Sequence, residues 1–449
     1  MNTFLENEAR KLVKRFDNEE TLFLPNYDYN VFKALSTSFV AVDGVSVNNR
    51  ETLLSKRSIK KKLENAGVLD SKLVISVLAD SLGFKNVAQS STLSKLFEMD
   101  QGALLSSIYP TMTSAVLAAV ATGLPPEENG ILGQKIYVDE IGNIIDFLTM
   151  QTPKTRLVDS LPKVGIDVRR FLWSSMVYDE LIADDDFIRV KVIVKDISKQ
   201  GLSWVVIDDF KYVVGFDTLV DGMSTVRQII EKYADKKLLI ELYFSELDSI
   251  SHAYGPMSSE YTFQLKILET HFSWLLNSLD SEHLEKGSLF LYADHGQKEL
   301  NEEEKIRFNK EEFETLREWM LAPPGRTGAS GRAIHFYIKP EYKDEAVDWL
   351  KEKIGTLGLV LKTEEHLKEL YPHLKKSNKE RVLTRIGTIQ AILKSGASID
   401  FRKEENGNNR PEPIFQKEFR ATHGSMSLDE LIVPFIFAKL STLKTLLQK

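Results

Sequence analysis

Short apolar runs alternate with amphipathic stretches along most of the chain. Five of the apolar runs predict buried strands, because they are short and rich in β-branched residues. These runs are residues 72–79, 189–194, 203–207, 237–244 and 288–293. Residues 223–233 and 260–279 between them have the polar and apolar spacing of helices. Strands that alternate with helices predict an α/β fold, with a mostly parallel central sheet covered by helices on both faces.

The pattern changes after residue 300. Residues 301–406 are more charged and contain their own predicted strand (333–338) and helices (342–354 and 363–369). We therefore predict an inserted α+β cap over 301–406. The catalytic core is predicted to comprise 1–300 and 407–449, with 1–70 as a helical extension packed on it. The apolar run 431–438 would return the chain to the main sheet.

The composition narrows the function classes. The 449 residues are 43% hydrophobic and 27% charged, which is typical of a globular protein and excludes a disordered or fibrous one. Lys and Arg number 58 against 65 Asp and Glu, a net charge of −7, and no basic block predicts long nucleic acid as a partner. Cysteine is absent, so a metal site must use His, carboxylate or hydroxyl ligands.

The beginning of the chain and its longest apolar runs bear on location. The first twenty residues are charged throughout and contain no apolar core of signal-peptide length. The longest apolar runs, 115–121 and 431–438, are shorter than the roughly 20 residues that span a bilayer. The sequence therefore predicts a cytoplasmic protein without a membrane partner.

Chemically active side chains follow three of the predicted strands. Asp80 follows the first, Asp248 and His252 follow the fourth, and Asp294-His295 follows the fifth. Each Asp alone is typical of a turn or a helix cap, and an Asp and a His four residues apart are typical of an exposed helix face. Ligands in open α/β sheets bind at the carboxyl ends of the strands, however. Acidic side chains that meet there need a cation to offset their charge.

The chain has eight histidines, and three of them are followed by Gly within three residues: His252, His295 and His423. The other five lie in amphipathic or cap stretches and are predicted to be surface or packing residues. They are His271, His283, His335, His366 and His373.

Thr113 stands immediately before a predicted helix of small residues, 114–122. A hydroxyl there lies at the positive end of the helix dipole, where an alkoxide or a phosphate oxygen is favoured. A Thr at this position is also a common helix N-cap, and that alternative stays open. As a nucleophile the hydroxyl would need activation, which a metal ion can supply.

Six further sequence motifs stand at 109–113 (YPTMT), 121–133 (ATGLPPEENGILG), 248–256 (DSISHAYGP), 293–296 (ADHG), 422–425 (THGS) and 427–434 (SLDELIVP). Together they resemble the type I phosphodiesterase/nucleotide pyrophosphatase family of the alkaline phosphatase superfamily. Their order also agrees with that family, and the likeness covers about residues 70–300 and 410–440.

The resemblance implies an alkaline-phosphatase-like core with two divalent metal ions, zinc or manganese. The ligands of the first ion would be Asp80, Thr113, Asp294 and His295, and those of the second Asp248, His252 and His423. Thr113 would attack phosphorus and form a phospho-threonine intermediate, which water would then hydrolyse.

Two positions depart from the family pattern. Ser81 stands where the family usually has Gly, and Gln134 stands where many nucleotide pyrophosphatases have an Asn that contacts the substrate phosphate. In the predicted cap, Arg326 and Arg332 are candidates for contacting a phosphate or carboxylate, with surface arginines as the alternative.

The leading hypothesis is a two-metal phosphodiesterase that acts on a small nucleotide-type diester or pyrophosphate. A phosphomonoesterase, phosphonate hydrolase, mutase or cyclic-dinucleotide phosphodiesterase on the same scaffold is the alternative among enzymes. A catalytically inactive metal- or nucleotide-binding protein is the alternative outside them, although the complete set of seven candidate residues argues against it. Sulfatases of the superfamily use a Cys or Ser nucleophile, so Thr113 argues against that activity. The sequence leaves the oligomeric state open.

Overall fold

A seven-stranded sheet and a four-stranded sheet organise the protein. The computed structural model describes residues 1–17, 19–152, 155, 157–207, 212–321, 328–400 and 418–448. In chain order the strands of the two sheets are β1 (Leu73–Ala79), β2 (Gly102–Ser106), β3 (Phe187–Val194), β4 (Val213–Phe216), β5 (Lys237–Phe244), β6 (Gly287–Tyr292), β7 (Gly328–Ser330), β8 (Ala333–Phe336), β9 (Gly358–Lys362), β10 (Ile389–Leu393) and β11 (Ile432–Lys439).

The larger sheet has the strand order β4-β3-β5-β1-β6-β11-β2. The five strands from β4 to β6 are parallel, whereas β11 is antiparallel to both β6 and β2. The mostly parallel sheet predicted from the sequence is confirmed, and the run 431–438 rejoins it as β11. The short strands β2 and β4 were not predicted.

Helices cover both faces of this sheet. The longer helices of the described residues are α1 (Asn2–Leu12), α2 (Ala34–Val40), α3 (Arg57–Ala66), α4 (Ser91–Glu98), α5 (Thr113–Thr122), α6 (Leu219–Lys232), α7 (Glu246–Tyr254), α8 (Ser259–Ser278), α9 (Ser281–Lys286), α10 (Lys310–Trp319), α11 (Lys343–Ile354), α12 (Lys379–Ile386) and α13 (Leu440–Leu447). Of these, α10 and α11 pack with the four-stranded sheet instead. Side chains alternate between the two faces along a strand. Leu78 of β1 accordingly lines a cavity beneath α5, whereas its neighbour Val77 packs towards α8 and α13.

Shorter elements complete the chain. The helices of four residues are Pro126–Asn129, Ser160–Lys163, Lys195–Ser198, Ser203–Val206, Leu367–Leu370 and Leu428–Leu431. The two-stranded ladders pair Lys14–Arg15 with Phe23–Leu24, Ser46–Val47 with Leu181–Ile182, Lys135–Val138 with Asn143–Asp146, Lys298–Glu299 with Ala421–Thr422, and Lys305–Arg307 with Ser398–Asp400. No helix in the ranges given above is long and apolar enough to cross a bilayer.

The four-stranded sheet lies within the segment predicted to be a cap. Its order is β7-β8-β10-β9, and every neighbouring pair is antiparallel. Ile334, Val347 and Ile389 belong to a hydrophobic cluster formed within this part of the chain. The predicted cap boundaries at 301 and 406 stay a prediction, and 401–417 lie outside the described residues.

The strand predicted at 203–207 is wrong. Ser203–Val206 is a short helix, and its buried residues Val205 and Val206 pack in a second hydrophobic cluster beside the sheet. A five-residue apolar run is too short for periodicity to distinguish a buried strand from a buried helix.

Candidate metal and nucleophile site

The centre of the sheet explains why the candidate side chains meet. Strands β5, β1 and β6 are adjacent and parallel, so their carboxyl ends lie side by side. Asp80 directly follows β1, and Asp294 lies two residues after β6. Asp248 lies in the first turn of α7, which begins two residues after β5. Three separate segments therefore bring a carboxylate to the same edge.

The first cluster consists of Asp80, Asp294 and His295. One ligand atom of each residue lies within 4.8 Å of those of the other two. Nε2 of His295 is 3.2 Å from Oδ2 of Asp294 and 3.8 Å from Oδ1 of Asp80. All three side chains are buried. The loop that carries Asp294 and His295 is tightly packed, because a Cβ on Gly296 would lie 2.1 Å from the carbonyl oxygen of Asp429.

The second cluster consists of Asp248, His252 and His423, whose ligand atoms also lie within 4.8 Å of one another. Oδ1 of Asp248 is 3.4 Å from Nε2 of His252 and 3.8 Å from Nε2 of His423. The first two residues are one turn apart on α7. His423 is far from them in the sequence and directly follows the strand Ala421–Thr422, which pairs with Lys298–Glu299. This cluster is more open, since the Asp248 and His252 side chains are 20% and 17% exposed.

Each imidazole is held in its orientation by a contact between Nδ1 and a backbone carbonyl oxygen. Nδ1 of His252 donates to the carbonyl of Ala421 at 2.8 Å, and Nδ1 of His423 donates to that of Thr111 at 2.7 Å. Nδ1 of His295 is 3.2 Å from the carbonyl of Gly296. A carbonyl can only accept, so Nδ1 carries a proton, and in a neutral ring Nε2, which faces the carboxylates, has a free lone pair. Histidines that bind metals are oriented by the same second hydrogen bond.

The two clusters touch each other. The rings of His295 and His423 stack with centroids 3.7 Å apart and planes inclined by 18°. Ser81 connects the clusters as well, because its Oγ donates to Oδ1 of Asp248 at 2.7 Å and lies 3.2 Å from Nδ1 of His295. A change in one cluster can therefore affect the other.

The electrostatics show an excess of buried negative charge. Burial raises the pKa of Asp80, and the nearby carboxylates of Asp294 and Asp248 raise it further. Burial also raises the pKa of Asp294 to about 6. Burial lowers the pKa of His295 to about 4 and that of His423 to about 3, so both imidazoles are neutral at pH 7. His295 and His423 therefore carry no positive charge that would offset the buried carboxylates.

Asp248 behaves differently from the other two carboxylates. Burial acts to raise its pKa, but the facing imidazoles and the hydrogen bond from Ser81 outweigh burial and lower the pKa. Asp248 thus stays ionised more readily than Asp80 or Asp294.

The donor set fits two divalent cations. Oδ1 of Asp80 and Oδ2 of Asp294 are buried and have no hydrogen-bond partner among the residues that the structure describes. Buried polar atoms are normally satisfied, so these oxygens need a partner of another kind. Three carboxylates, three imidazoles and one hydroxyl are ligands suited to zinc or manganese.

Thr113 is the first residue of α5, and its side chain faces the first cluster. Its Oγ1 is 3.1 Å from Nε2 of His295, so the hydroxyl adds a fourth donor to Asp80, Asp294 and His295. The N-cap of α5 is Met112, which makes no side-chain capping bond. The alternative interpretation of Thr113 as an N-cap is therefore wrong.

Three supporting residues were not assigned from the sequence. Nε2 of Gln297 donates to Oδ1 of Asp248 at 2.6 Å and to Oγ of Ser81 at 3.1 Å. The hydroxyl of Tyr243 donates to Oδ2 of Asp80. Ser81 was noted only as a departure from the family pattern, and its φ of +64° explains why Gly suits that position. Ser81 directly follows Asp80, and Gln297 lies two residues after His295. This closeness in sequence to predicted ligands is the signal that could have identified both residues.

Two of the three residues considered for phosphate binding make contacts with other parts of the protein. The backbone carbonyl of Gln134 accepts from the amide of Phe147, and its side chain bonds to Asp146. Arg332 is fully buried and paired with Glu430 at 3.0 Å, so it is not available to a substrate. Arg326 lies outside the described residues.

A known protein family matches most of the chain. The model of the family described as type I phosphodiesterase / nucleotide pyrophosphatase matches residues 74–426. Venom phosphodiesterase 2 of Crotalus adamanteus is 23% identical over 201 residues, which are 44% of this chain and 23% of the venom protein. The match thus spans less than a quarter of that relative's length.

Two solved structures share the fold. The murine ectonucleotide pyrophosphatase/phosphodiesterase 5 structure has a TM-score of 0.58 and 16% identity, covering 84% of this chain and 94% of that one. Phosphonoacetate hydrolase from Sinorhizobium meliloti 1021, in complex with phosphonoformate, has a TM-score of 0.54 and 15% identity. The match covers 84% of this chain and 96% of the hydrolase chain. At this level of identity the likeness establishes the alkaline-phosphatase-like fold.

Proposed function

Because the chain belongs to the type I phosphodiesterase/nucleotide pyrophosphatase family, we propose that it is a metal-dependent phosphodiesterase with Thr113 as its nucleophile. The observation that carries this proposal is the position of Thr113. Its hydroxyl lies 3.1 Å from Nε2 of His295, and it begins a ten-residue helix without a side-chain cap. The same residue therefore meets a metal-binding cluster and the end of a helix that attracts phosphate.

Seven residues would hold two divalent cations, zinc or manganese. The first ion would take Asp80, Thr113, Asp294 and His295, and the second Asp248, His252 and His423. When bound, two such ions polarise the phosphoryl oxygens and stabilise the attacking and leaving oxygens of an in-line displacement.

The side chains define the order of bond changes. Oγ of Thr113 attacks phosphorus and loses its proton, while the bond from phosphorus to the leaving oxygen breaks. The leaving oxygen keeps the electron pair and takes up a proton. A water oxygen then attacks the phospho-threonine, the bond from phosphorus to Oγ breaks, and Thr113 regains a proton. The backbone N–H groups at the start of α5 would face the phosphoryl oxygens in both steps.

A small nucleotide-type phosphodiester or pyrophosphate is the proposed substrate class. The family name supports it, as does a murine ectonucleotide pyrophosphatase/phosphodiesterase 5 structure of an inactive threonine-to-alanine variant in complex with AMP. A phosphonate substrate is the second candidate, favoured by the shared fold of phosphonoacetate hydrolase.

The test is hydrolysis by protein loaded with zinc or manganese. Bis-p-nitrophenyl phosphate should be cleaved faster than p-nitrophenyl phosphate, and phosphonoacetate should be a poor substrate. Mass spectrometry of acid-quenched reactions should detect a phosphoryl adduct on the peptide that contains Thr113. Faster cleavage of the monoester or of phosphonoacetate would reassign the activity, and no cleavage of any substrate would contradict the proposal.

A further inference from the structure

The loop that carries His423 is bonded to the segment that carries the proposed nucleophile. Nδ1 of His423 donates to the carbonyl of Thr111 at 2.7 Å. Oγ1 of Thr111 accepts from the amide of Gly424 at 2.9 Å and donates to the carbonyl of Ser425 at 2.8 Å. Because Thr111 lies two residues before Thr113, a shift of this loop would reach both the second cluster and the start of α5.

Glu430 holds the same loop from a second direction. Its Oε1 accepts from the amide of Ser425 at 2.9 Å, and its Oε2 accepts from Oγ of Ser427 at 2.5 Å. Its backbone carbonyl accepts from the amide of Gly296, directly after His295, at 2.9 Å. Glu430 is fully buried, and a buried carboxylate is costly unless a group of opposite charge is paired with it.

The partner of Glu430 is Arg332, which lies between β7 and β8 of the four-stranded sheet and is fully buried as well. Nε of Arg332 donates to Oε1 of Glu430 at 3.0 Å. Nη1 donates to the carbonyl of Ala397 at 2.6 Å, and Nη2 donates to that of Leu393 at 3.2 Å. The N–H groups of a guanidinium point in fixed directions, so contacts with three different groups leave this side chain little freedom.

The four-stranded sheet also contacts the backbone of His423 directly. The amide of Arg332 donates to the carbonyl of His423 at 3.2 Å, and a Cβ on Gly331 would lie 2.4 Å from the same oxygen. Oγ of Ser425 donates to the carbonyl of Leu393, the last residue of β10, at 2.7 Å. The loop that begins at His423 is therefore packed against the turn between β7 and β8 and against the end of β10.

We infer that Arg332 is a positioning residue for His423. Through Glu430 and the turn between β7 and β8, it fixes the loop of residues 423–427 so that Nε2 of His423 faces Asp248. The inference rests on the proposed function, since it takes the second cluster to bind a metal ion. It gives the four-stranded sheet a part in the metal site, because the second cluster is complete only while that sheet is packed against the loop.

Removal of both charges separates positioning from stability. Arg332→Met alone would leave the Glu430 carboxylate buried without its cation, whereas replacement of a whole buried ion pair by apolar residues is often neutral for stability. We expect Arg332→Met/Glu430→Met to melt close to the unmodified protein but to bind zinc at the second cluster about 10–100-fold more weakly. Competition with a chromophoric chelator measures the affinities of both zinc equivalents. Unchanged affinity for both equivalents in the folded variant would overturn the inference.

Two further variants show which cluster is affected. In an Asp248→Asn background only the first cluster is complete, and the double variant should then leave the remaining zinc affinity unchanged. If the double variant does not fold, Arg332→Lys makes the same test, because it keeps a positive charge beside Glu430 but loses the planar fork of the guanidinium. A weakened first equivalent would overturn the inference, because the pair would then not act through His423.

Arg385→Met is the matched control. Arg385 is also a buried arginine, and its Nη1 donates to the carbonyls of Gly130 at 2.6 Å and Phe171 at 2.8 Å. Neither of these residues belongs to a cluster, so the control variant should lose stability but keep both zinc affinities. An equal loss of zinc affinity in Arg385→Met and in the double variant would overturn the inference, because general loosening would then explain the effect.

Hydrogen exchange of the metal-free protein gives a readout that needs neither metal nor turnover. The amide of Ser425 donates to Oε1 of Glu430, so loss of that acceptor should speed its exchange by about tenfold in the double variant. Exchange of the same peptide should stay unchanged in Arg385→Met. If zinc binds to none of the proteins, the proposed function fails, and the exchange rates still decide whether Arg332 holds the loop. Equal exchange in the double variant and the unmodified protein would overturn the inference.

Discussion

The two candidate metal-binding clusters are built from similar side chains but differ in their surroundings. Asp80, Asp294 and His295 lie on loops directly after central strands and are sealed from solvent. The second cluster lies on an exposed helix and on a ladder from a distant part of the chain, and its Asp248 is 20% exposed. The hydroxyl of Thr113, the proposed nucleophile, lies beside the first cluster.

The difference extends to the protonation of the carboxylates. Burial raises the pKa of Asp294 to about 6, whereas facing imidazoles lower the pKa of Asp248. A buried cluster with high carboxylate pKa values has the larger need for a cation. We therefore expect the buried first cluster to hold a metal ion more tightly than the more exposed second cluster.

Thr113→Ala should have the largest effect. Diester hydrolysis should fall by several orders of magnitude, because the covalent step has no substitute. Since Thr113 is not the N-cap of α5, the melting temperature should stay nearly unchanged, without the roughly 1 kcal/mol loss that follows removal of a cap. Thr113→Ser keeps the hydroxyl and should retain measurable activity. A clearly active Thr113→Ala protein would instead indicate direct attack by water.

Stepwise removal of metal should distinguish the clusters. During titration with a chelator, one equivalent of metal should leave well before the other, because solvent reaches Asp248 and His252 but not Asp80 or Asp294. Metal analysis after dialysis should find about one equivalent in Asp248→Asn and a weakened first site in Asp294→Asn. Simultaneous loss of both equivalents from the unmodified protein would contradict the difference between the clusters.

Ser81→Gly should weaken the second cluster without destabilising the fold. The Ser81 hydroxyl donates to Asp248, and loss of such a supporting bond typically lowers metal affinity by about 10–100-fold. Gly also tolerates the left-handed backbone at this position, so metal-free stability should be equal or higher.

Ser395→Gly is the matched control for Ser81→Gly. Ser395 also has a positive φ, +44°, but it is an exposed residue and makes no contact with either cluster. Both variants should show a similar change in melting temperature, and only Ser81→Gly should change metal affinity. Equal metal affinity in the two variants would show that the hydroxyl does not support the site.

His335 contributes to the pH dependence of the free energy of unfolding, and this contribution must be separated from that of the two clusters. His335 is fully buried in β8, and burial lowers its pKa to about 3. The unfolded state therefore binds a proton below pH 6.5 that the folded state does not bind. Stability should be complete above pH 6.5 and fall by up to about 1.4 kcal/mol per pH unit towards pH 3.

His335→Leu should remove this background and shift acid unfolding of the metal-free protein to lower pH. Thermal melts between pH 4 and 8 provide the measurement. An unchanged pH dependence would mean that the acid transition originates elsewhere. The metal-dependent part of the transition is then the difference between loaded and metal-free His335→Leu protein.

Much of the site could be predicted because the chemistry lies at strand ends. Three carboxylates, Asp80, Asp294 and Asp248, follow apolar runs whose β-branched composition identifies them as strands. The carboxyl ends of neighbouring parallel strands lie at the same edge of the sheet. The family resemblance then grouped them with His252, His295, His423 and Thr113. The structure brings these seven residues together in the same two groups.

The tertiary structure alone decided the features that depend on contacts between distant segments. The Ser81 hydroxyl meets Asp248 across 167 residues, and the Tyr243 hydroxyl meets Asp80 across 163, separations at which no local pattern carries information. The start of α5 at Thr113 and the helix at Ser203–Val206 depend on packing that short apolar runs do not encode. Residue types and strand ends determine which chemistry is possible, whereas burial and the second hydrogen bond of each ligand determine how the two clusters differ.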